Sequence, residues 1–529
     1  MDRARGNVWE GGLHGATPLL HDYLLHAARR LPDKVGLVAA GRRLTYGQLD
    51  ADSNALAHEL QRRGVERGDR VLIYAGNVPE AVVAFWAALK ANAVASVINP
   101  GTKKDKLAYL IADSRPAALV AEARLHRELV EPAASPHLRT VVLIGQASPK
   151  LLASVPSAVA MGELLAAGRR DTPPPRSALD IDLASIIYTS GSTGDPKGVM
   201  LTHRNMLSAA TSVGTYLETE QDDVLVSVLP LSFDYGLYQM IMGTRWGARV
   251  VLERSFAYPV KVLETLEREQ ATGFPGVPTM FSILAGMSDL DRYDFSTLRF
   301  VSNTAAALTD KHVAFIRSAF PTARLFSMYG LTECKRCTYL PPADIDRKPG
   351  SVGIAIPNTE LWLVGEDGER VGPGEVGELV IRGATVMKGY WEKPEATAKR
   401  LRAGPLPGEQ VLHTGDLCRL DEDGYLYFVS RMDDIIKSRG EKVAPKAVEN
   451  VLMSMDGIRE AAVIGVEDPV LGQAIKAFVV LEGVGDVTER AIQRHCQSHL
   501  EPFMVPQKIE LVPDLPKTTS GKIKKTGLA

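Results

Sequence analysis

Apolar positions along the chain follow two rhythms that alternate. Short β-branched runs predict strands at DRVLIYAG (69–76), VASVINP (94–100), AALVAEA (117–123) and TVVLIG (140–145). Between the first two, PEAVVAFWAALKA (79–91) has helical spacing. Such alternation predicts parallel sheets with helices packed on them. The longest apolar stretch, residues 81–98, is interrupted by Lys90 and Asn92. It therefore reads as a buried helix running into a strand and not as a membrane span. Further on the rhythm changes. ELWLVGEDGERVGPGEVGELVIRG (360–383) has short strands separated by acidic-Gly and Pro-Gly turns, the pattern of antiparallel hairpins in a small barrel. From residue 433 a helix (445–455), two strands and a second helix near 488–500 form a compact α+β unit.

The expected architecture is thus α/β. A large N-terminal domain (1–432) has parallel sheets, packed helices and a barrel-like subdomain, and a small α+β domain (433–529) follows. The proline-rich DTPPPRSALD (171–180) marks either a boundary or a long loop within one domain.

Length and composition narrow the function. With 529 residues the chain exceeds one ordinary core. A net charge of -2 gives no basic surface for nucleic acid. Four cysteines form no disulfide framework and suit a reducing cytoplasm; Cys334 and Cys337 make a lone CxxC without a second ligand pair for zinc, so they read as ordinary thiols. The first residues lack the apolar core of a signal peptide.

TSGSTGDPKGV (189–199) carries the chemistry. It follows an apolar strand, LASIIYT (183–189), and precedes a probable helix that Thr202 can cap. Glycines allow close backbone approach, hydroxyls donate, and Lys197 offers a point charge suited to phosphate. It is neither a Walker A loop nor GxGxxG. With GVPTMF (276–281), VSNTAAAL (301–308), YGLTE (329–333), TGD (414–416), SRMDDIIKSRGEKVAP (430–445) and LPKTTSGKIKK (515–525), it resembles, motif by motif and in order, the AMP-forming adenylating enzymes. That superfamily contains acyl-CoA synthetases, peptide-synthetase adenylation domains and luciferase. One departure is Asn303, where glycine is common.

The resemblance implies a reaction and its parts. A carboxylate attacks the α-phosphorus of ATP, pyrophosphate leaves, and the acyl-adenylate meets a thiol. Thr189, Ser190, Gly191, Ser192, Thr193, Gly194 and Lys197 would wrap the ATP phosphates. Thr332 would contact the α-phosphate and Glu333 would ligate Mg²⁺. Tyr329 would stack on adenine, and Asp416, helped by Arg431, would hold the ribose. Lys522 would bridge the attacking carboxylate and the α-phosphate. Asp433 would be the hinge of a mobile C-terminal domain that brings Lys437 and Gly440 to a thiol tunnel. Phe233, Asp234, Asn303, Gly330 and Lys335 are the substrate-binding candidates.

The substrate is read from LPLSFDYGLYQ (229–239). Many acyl-CoA synthetases carry histidine where Phe233 stands, whereas amino-acid adenylation domains carry Phe-Asp. Asp234 has no cation among its sequence neighbours, so a substrate ammonium is its expected partner. An amino acid is therefore the first expectation, with a fatty or aryl acid, or an amide-forming enzyme, as the alternatives. Lys335 and Arg336 could recognise a second acid group or a phosphopantetheine arm; the preferred reading is surface charge. No carrier domain is fused, so CoA or a free-standing carrier protein is expected in trans. A regulator without catalysis is disfavoured because Lys522 and Glu333 are both present.

Overall fold

The computed structural model describes residues 19–528 apart from 130–131, 156, 167–169, 190–195, 305–306, 439–440, 469–471, 483–486, 519–521 and 526. Two large sheets form its centre. In one, the strands 324–329, 300–303, 273–276, 224–227, 249–252 and 35–39 run parallel in that spatial order, with antiparallel strands 338–340 and 42–45 at the two sides. In the other, 183–189, 94–98, 70–74, 118–122, 140–144 and 158–160 are parallel, and 197–202 and 389–390 add antiparallel at one edge. The sheets are thus mixed, where the sequence pattern predicts parallel ones. The antiparallel strands 42–45, 197–202 and 338–340 are reached by short hairpin-type returns that apolar periodicity does not distinguish from crossovers, and 389–390 arrives from far along the chain.

Alternation along a strand shows where the core lies. Val71 and Ile73 join the main core, which also takes Val226, Phe274 and Val301 from the other sheet. Leu72 and Tyr74, on the opposite face, join a separate cluster with Leu119 and Val141. The helix Pro79–Lys90 is buried at every position but Glu80. Its last residue, Lys90, is sunk in the interior because the Asp50 carboxylate lies 2.6 Å away and Ser53 and Asn54 accept from the same ammonium. Asn92, two residues on, has φ 63° and accepts from the backbone N–H groups of Ser177 and Ala178 while donating to Pro175 O. The proline-rich segment is accordingly a loop pinned to the first domain, not a boundary.

A third sheet is wholly antiparallel and curls on itself, with strands 359–364, 376–383, 410–420, 401–403 and 426–431. A fourth (436–438, 441–443, 458–468, 472–481, 508–511), with the helices Pro445–Ser454 and Glu489–His499, has its own buried cluster around Val448, Leu452, Val463 and Ile492. The fold is a large α/β domain with a half-barrel subdomain, then a small α+β domain.

His203 begins the helix His203–Tyr216 and is 1% exposed; its Nδ1 accepts from Leu20 N–H. Burial pushes its pKa down to about 4. The unfolded imidazole takes a proton near pH 6.5, while the folded one resists until about 4. Between these values the unfolded state binds more protons, so stability falls as pH falls, by up to about 3 kcal/mol from this group. Replacing His203→Asn keeps an acceptor and removes the titration. Urea midpoints at pH 7 and 5 should separate less in the variant than in the wild type; an equal separation would count against this origin.

Candidate active site

The glycine-rich stretch does not open onto a helix. Thr189 and Lys197 are a cross-strand pair of an antiparallel hairpin, and the helix starts only after the second strand, capped by Thr202 as expected, with Asn205 completing a capping box. Ser190, Gly191, Ser192, Thr193 and Gly194 lie outside the described residues. At the loop's base the Lys197 ammonium sits 5.6 Å from the Tyr390 ring centroid. Tyr390 belongs to the two-residue edge strand beside this hairpin, and its hydroxyl donates to Glu333 Oε1 at 2.8 Å. Burial and the neighbouring Glu333 carboxylate both raise the phenol's pKa, so it remains a donor. Nothing in the sequence singles out Tyr390, because its strand is two residues long and its partners are far away in the chain.

Glu333 follows the strand Arg324–Tyr329, which ends beside the strand ends at Asn303 and Gly276. Carboxyl ends of parallel strands are where open α/β sheets bind ligands. Residues 330–336 turn tightly, with Lys335 N–H donating to Leu331 O and Cys337 N–H to Tyr329 O. Thr332 lies within this turn, half-buried. Glycine is required at 330: a Cβ there would fall 2.6 Å from Arg336 Cα.

The Tyr329 hydroxyl donates to Asp416. Asp416 is opposite Arg431 across two strands of the third sheet, with Arg431 Nε 3.1 Å from Oδ1. Burial raises the Asp416 pKa, and the Arg431 charge and the Tyr329 hydrogen bond oppose that rise. The turn before it needs Gly415, at φ 71°, since a Cβ would strike the Arg400 guanidinium.

Asp433 is exposed in the short turn Met432–Asp434, which links the third sheet to the fourth. Lys437 is on the next strand, Ile436–Ser438; Gly440 lies outside the described residues. Lys522 sits in a hairpin-like turn, accepting from Thr518 N–H at its carbonyl and donating from its own N–H to Thr518 Oγ1. Its side chain keeps solvent access yet is crowded by charged groups of the first domain. That crowding, then the Arg431 charge, lowers its pKa, while Asp234, Asp416 and Glu333 pull the other way. The structure therefore groups Lys522 with the residues of three separate motifs.

Two expectations need correction. Lys335 and Arg336 are not surface charges: they are 2% and 4% exposed. Nor does Asp234 lack a cation. It begins the helix Asp234–Trp246, 9% exposed, and Lys335 Nζ lies 3.2 Å from its Oδ2. Burial would raise the Asp234 pKa, but the Lys335 and Arg336 charges outweigh it and hold the carboxyl below its usual range. The partner is 101 residues away in sequence, which is why a search of neighbours misses it. Phe233 precedes the helix with its ring edge toward Tyr235, and Asn303 is fully buried at its strand end.

Comparison with known proteins decides the family. A model described as AMP-binding enzyme matches residues 24–391, and that of the AMP-binding enzyme C-terminal domain matches 447–522. The chain belongs to the AMP-binding enzyme family. This AMP-binding enzyme is 34% identical to feruloyl-CoA synthase of Amycolatopsis sp, over 96% of this chain and 97% of that protein. It is 32% identical to the long-chain-fatty-acid–CoA ligase of Salmonella typhimurium, over 94% and 92%. Its fold superposes on ATP-bound MatB from Rhodopseudomonas palustris with a TM-score of 0.86 at 29% identity, over 96% of this chain and 98% of that one. The AMP-binding enzyme is an AMP-forming acid–thiol ligase that uses ATP. No helix among the described residues is long and apolar enough to cross a membrane.

Proposed function

We propose that this enzyme joins an aryl or fatty acid to CoA through its acyl-adenylate, and does not activate an amino acid. The observation that carries this reading is the 3.2 Å ion pair between Asp234 and Lys335. A substrate ammonium would have to displace a cation already seated in the protein. The similarity to fatty-acid and feruloyl ligases supports the same side.

The roles assigned here are those that the family resemblance implies. Thr189, Lys197 and residues 190–194 would wrap the ATP phosphates, and Thr332 would contact the α-phosphate. Tyr329 stands at the adenine and Asp416 with Arg431 at the ribose. Asp416 Oδ2 accepts from Tyr329, while the buried Oδ1 lies beside Arg431 with no hydrogen-bond partner among the described residues, which leaves it acceptor capacity for the ribose. Phe233, Asn303 and Gly330 border the acid. Glu333 fits a magnesium ion: Mg²⁺ takes one or two protein carboxylates and completes its shell with phosphate and water. When bound there, the ion would offset charge on the departing pyrophosphate. No cluster of three or more His, Cys, Asp or Glu side chains fit for a metal occurs among the described residues, which suits an ion held mainly by its nucleotide. Lys522 neutralises charge between the attacking carboxylate and the α-phosphate. Asp433, at the link between sheets, is the hinge of a C-terminal domain beginning near residue 433, and Lys437 and Gly440 then meet the thiol.

ATP–pyrophosphate exchange with a panel of fatty, aryl and amino acids tests the substrate class. Aryl or fatty acids should support exchange, and added CoA should then yield a thioester. Exchange with amino acids alone would overturn the proposal.

A further inference from the structure

The ion pair at Asp234 leaves one positive charge over. Lys335 and Arg336 both have left-handed backbone, φ 36° and 66°, a conformation that side-chain-bearing residues adopt at a cost. The turn holds it by folding Arg336 over Gly330, and both side chains are consequently buried. The Lys335 ammonium lies 4.4 Å from the Tyr238 ring centroid as well as beside Asp234. The Arg336 guanidinium lies 4.4 Å from the Tyr235 ring centroid, with the Tyr216 hydroxyl nearby. It forms no ion pair among the described residues, and its Nε has no hydrogen-bond partner.

A guanidinium stays protonated at any working pH, and a buried charge is costly until an anion meets it. An aromatic face softens that cost without cancelling it. The placement of Arg336 favours the acid over the ribose end of the nucleotide. Arg336 touches Tyr235, whose hydroxyl is tied to Ser302, and folds over Gly330, beside the residues proposed above to border the acid. The charges acting most strongly on Asp416 are those of Arg431, Arg400 and Lys522.

We propose that Arg336, backed by Lys335, binds a second carboxylate at the far end of the acid, so that the preferred substrates are diacids. Asp234 then has a defined part: it neutralises Lys335 and leaves a single net charge for a single carboxylate. This rests on the acid-ligase reading above and narrows it.

The test is kcat/KM in ATP–pyrophosphate exchange for matched pairs: the linear diacids from malonate to sebacate against monoacids of equal length, and terephthalate against benzoate. At least one diacid should exceed its partner by about 10-fold or more, as hydrogen bonds to charged groups warrant. Arg336→Met should cut that ratio by roughly 10–100-fold, mainly through KM, and Arg336→Lys should retain part of it. Stabilisation by ATP in a melting assay identifies variants that fold. If Arg336→Met does not fold, the wild-type ratio and Arg336→Lys decide. Monoacids equal to or better than every diacid would overturn the proposal, as would a folded Arg336→Met that lowers both members of a pair alike. Exchange with amino acids only would instead sink the acid-ligase reading.

Discussion

Lys522→Ala should lower ATP–pyrophosphate exchange by roughly 10²–10³-fold, the range for losing one preorganised electrostatic contact in a transition state. Two anions must approach each other for a carboxylate to attack the α-phosphate. A cation between them is worth most where the surroundings exclude water. Lys522 feels the charges that meet at the site: those acting on it include Glu333, Asp416 and Asp234 from three motifs. Thioester formation from a supplied acyl-adenylate should survive, because that half-reaction begins after the two anions have joined. Asp433→Pro should give the converse. Proline fixes φ near -65°, which restricts rotation at the link between the third and fourth sheets. Exchange should then persist while thioester formation falls. Equal loss of both half-reactions in Lys522→Ala would indicate a folding or general binding defect instead.

Lys335→Ala should be the most destabilising single change at the site, costing about 3–5 kcal/mol. The change leaves the Asp234 carboxylate buried with its nearest cation gone. Arg336 remains, yet it lies over Tyr235 and forms no ion pair with Asp234. Desolvation then favours protonating the acid, which costs free energy at neutral pH. Burial pushes Lys335 itself down to about 7, with Asp234 opposing the fall, so the ammonium depends on that carboxylate as much as the reverse. The double variant Asp234→Leu/Lys335→Met should therefore regain most of the loss, since two apolar groups of similar size leave no charge unpaired. Thermal and urea unfolding of the first domain, read by tryptophan fluorescence, would show it. A Lys335→Ala protein as stable as wild type would mean that Asp234 is already neutral or wet.

Reading by rhythm reaches a definite depth in this protein. The strand at 70–74 and the helix at 79–90 could be placed from β-branching and apolar spacing, because each is dictated by residues within a few positions. The half-barrel hairpins and the separate α+β unit were legible for the same reason. The glycine-rich loop was misread in its exit. The helix does begin after Thr202 as expected, but residues 197–202 before it form a strand, which only their pairing with 183–189 on one side and 389–390 on the other decides.

For the chemistry, order along the chain named the components: a phosphate loop, a turn with Glu333, a ribose carboxylate and a terminal lysine. Motifs of this kind survive as local strings because a backbone approach or a turn needs particular neighbours. The partners of those residues are another matter. Tyr390 on Glu333, Arg431 across from Asp416, and Lys335 on Asp234 are contacts between segments 57, 15 and 101 residues apart. Sequence by itself determined the fold class, the family and the inventory of charged groups. Only the tertiary structure decided which charges neutralise one another, because pairing inside a protein is set by which strand ends and turns meet in space, and burial then makes each pairing count.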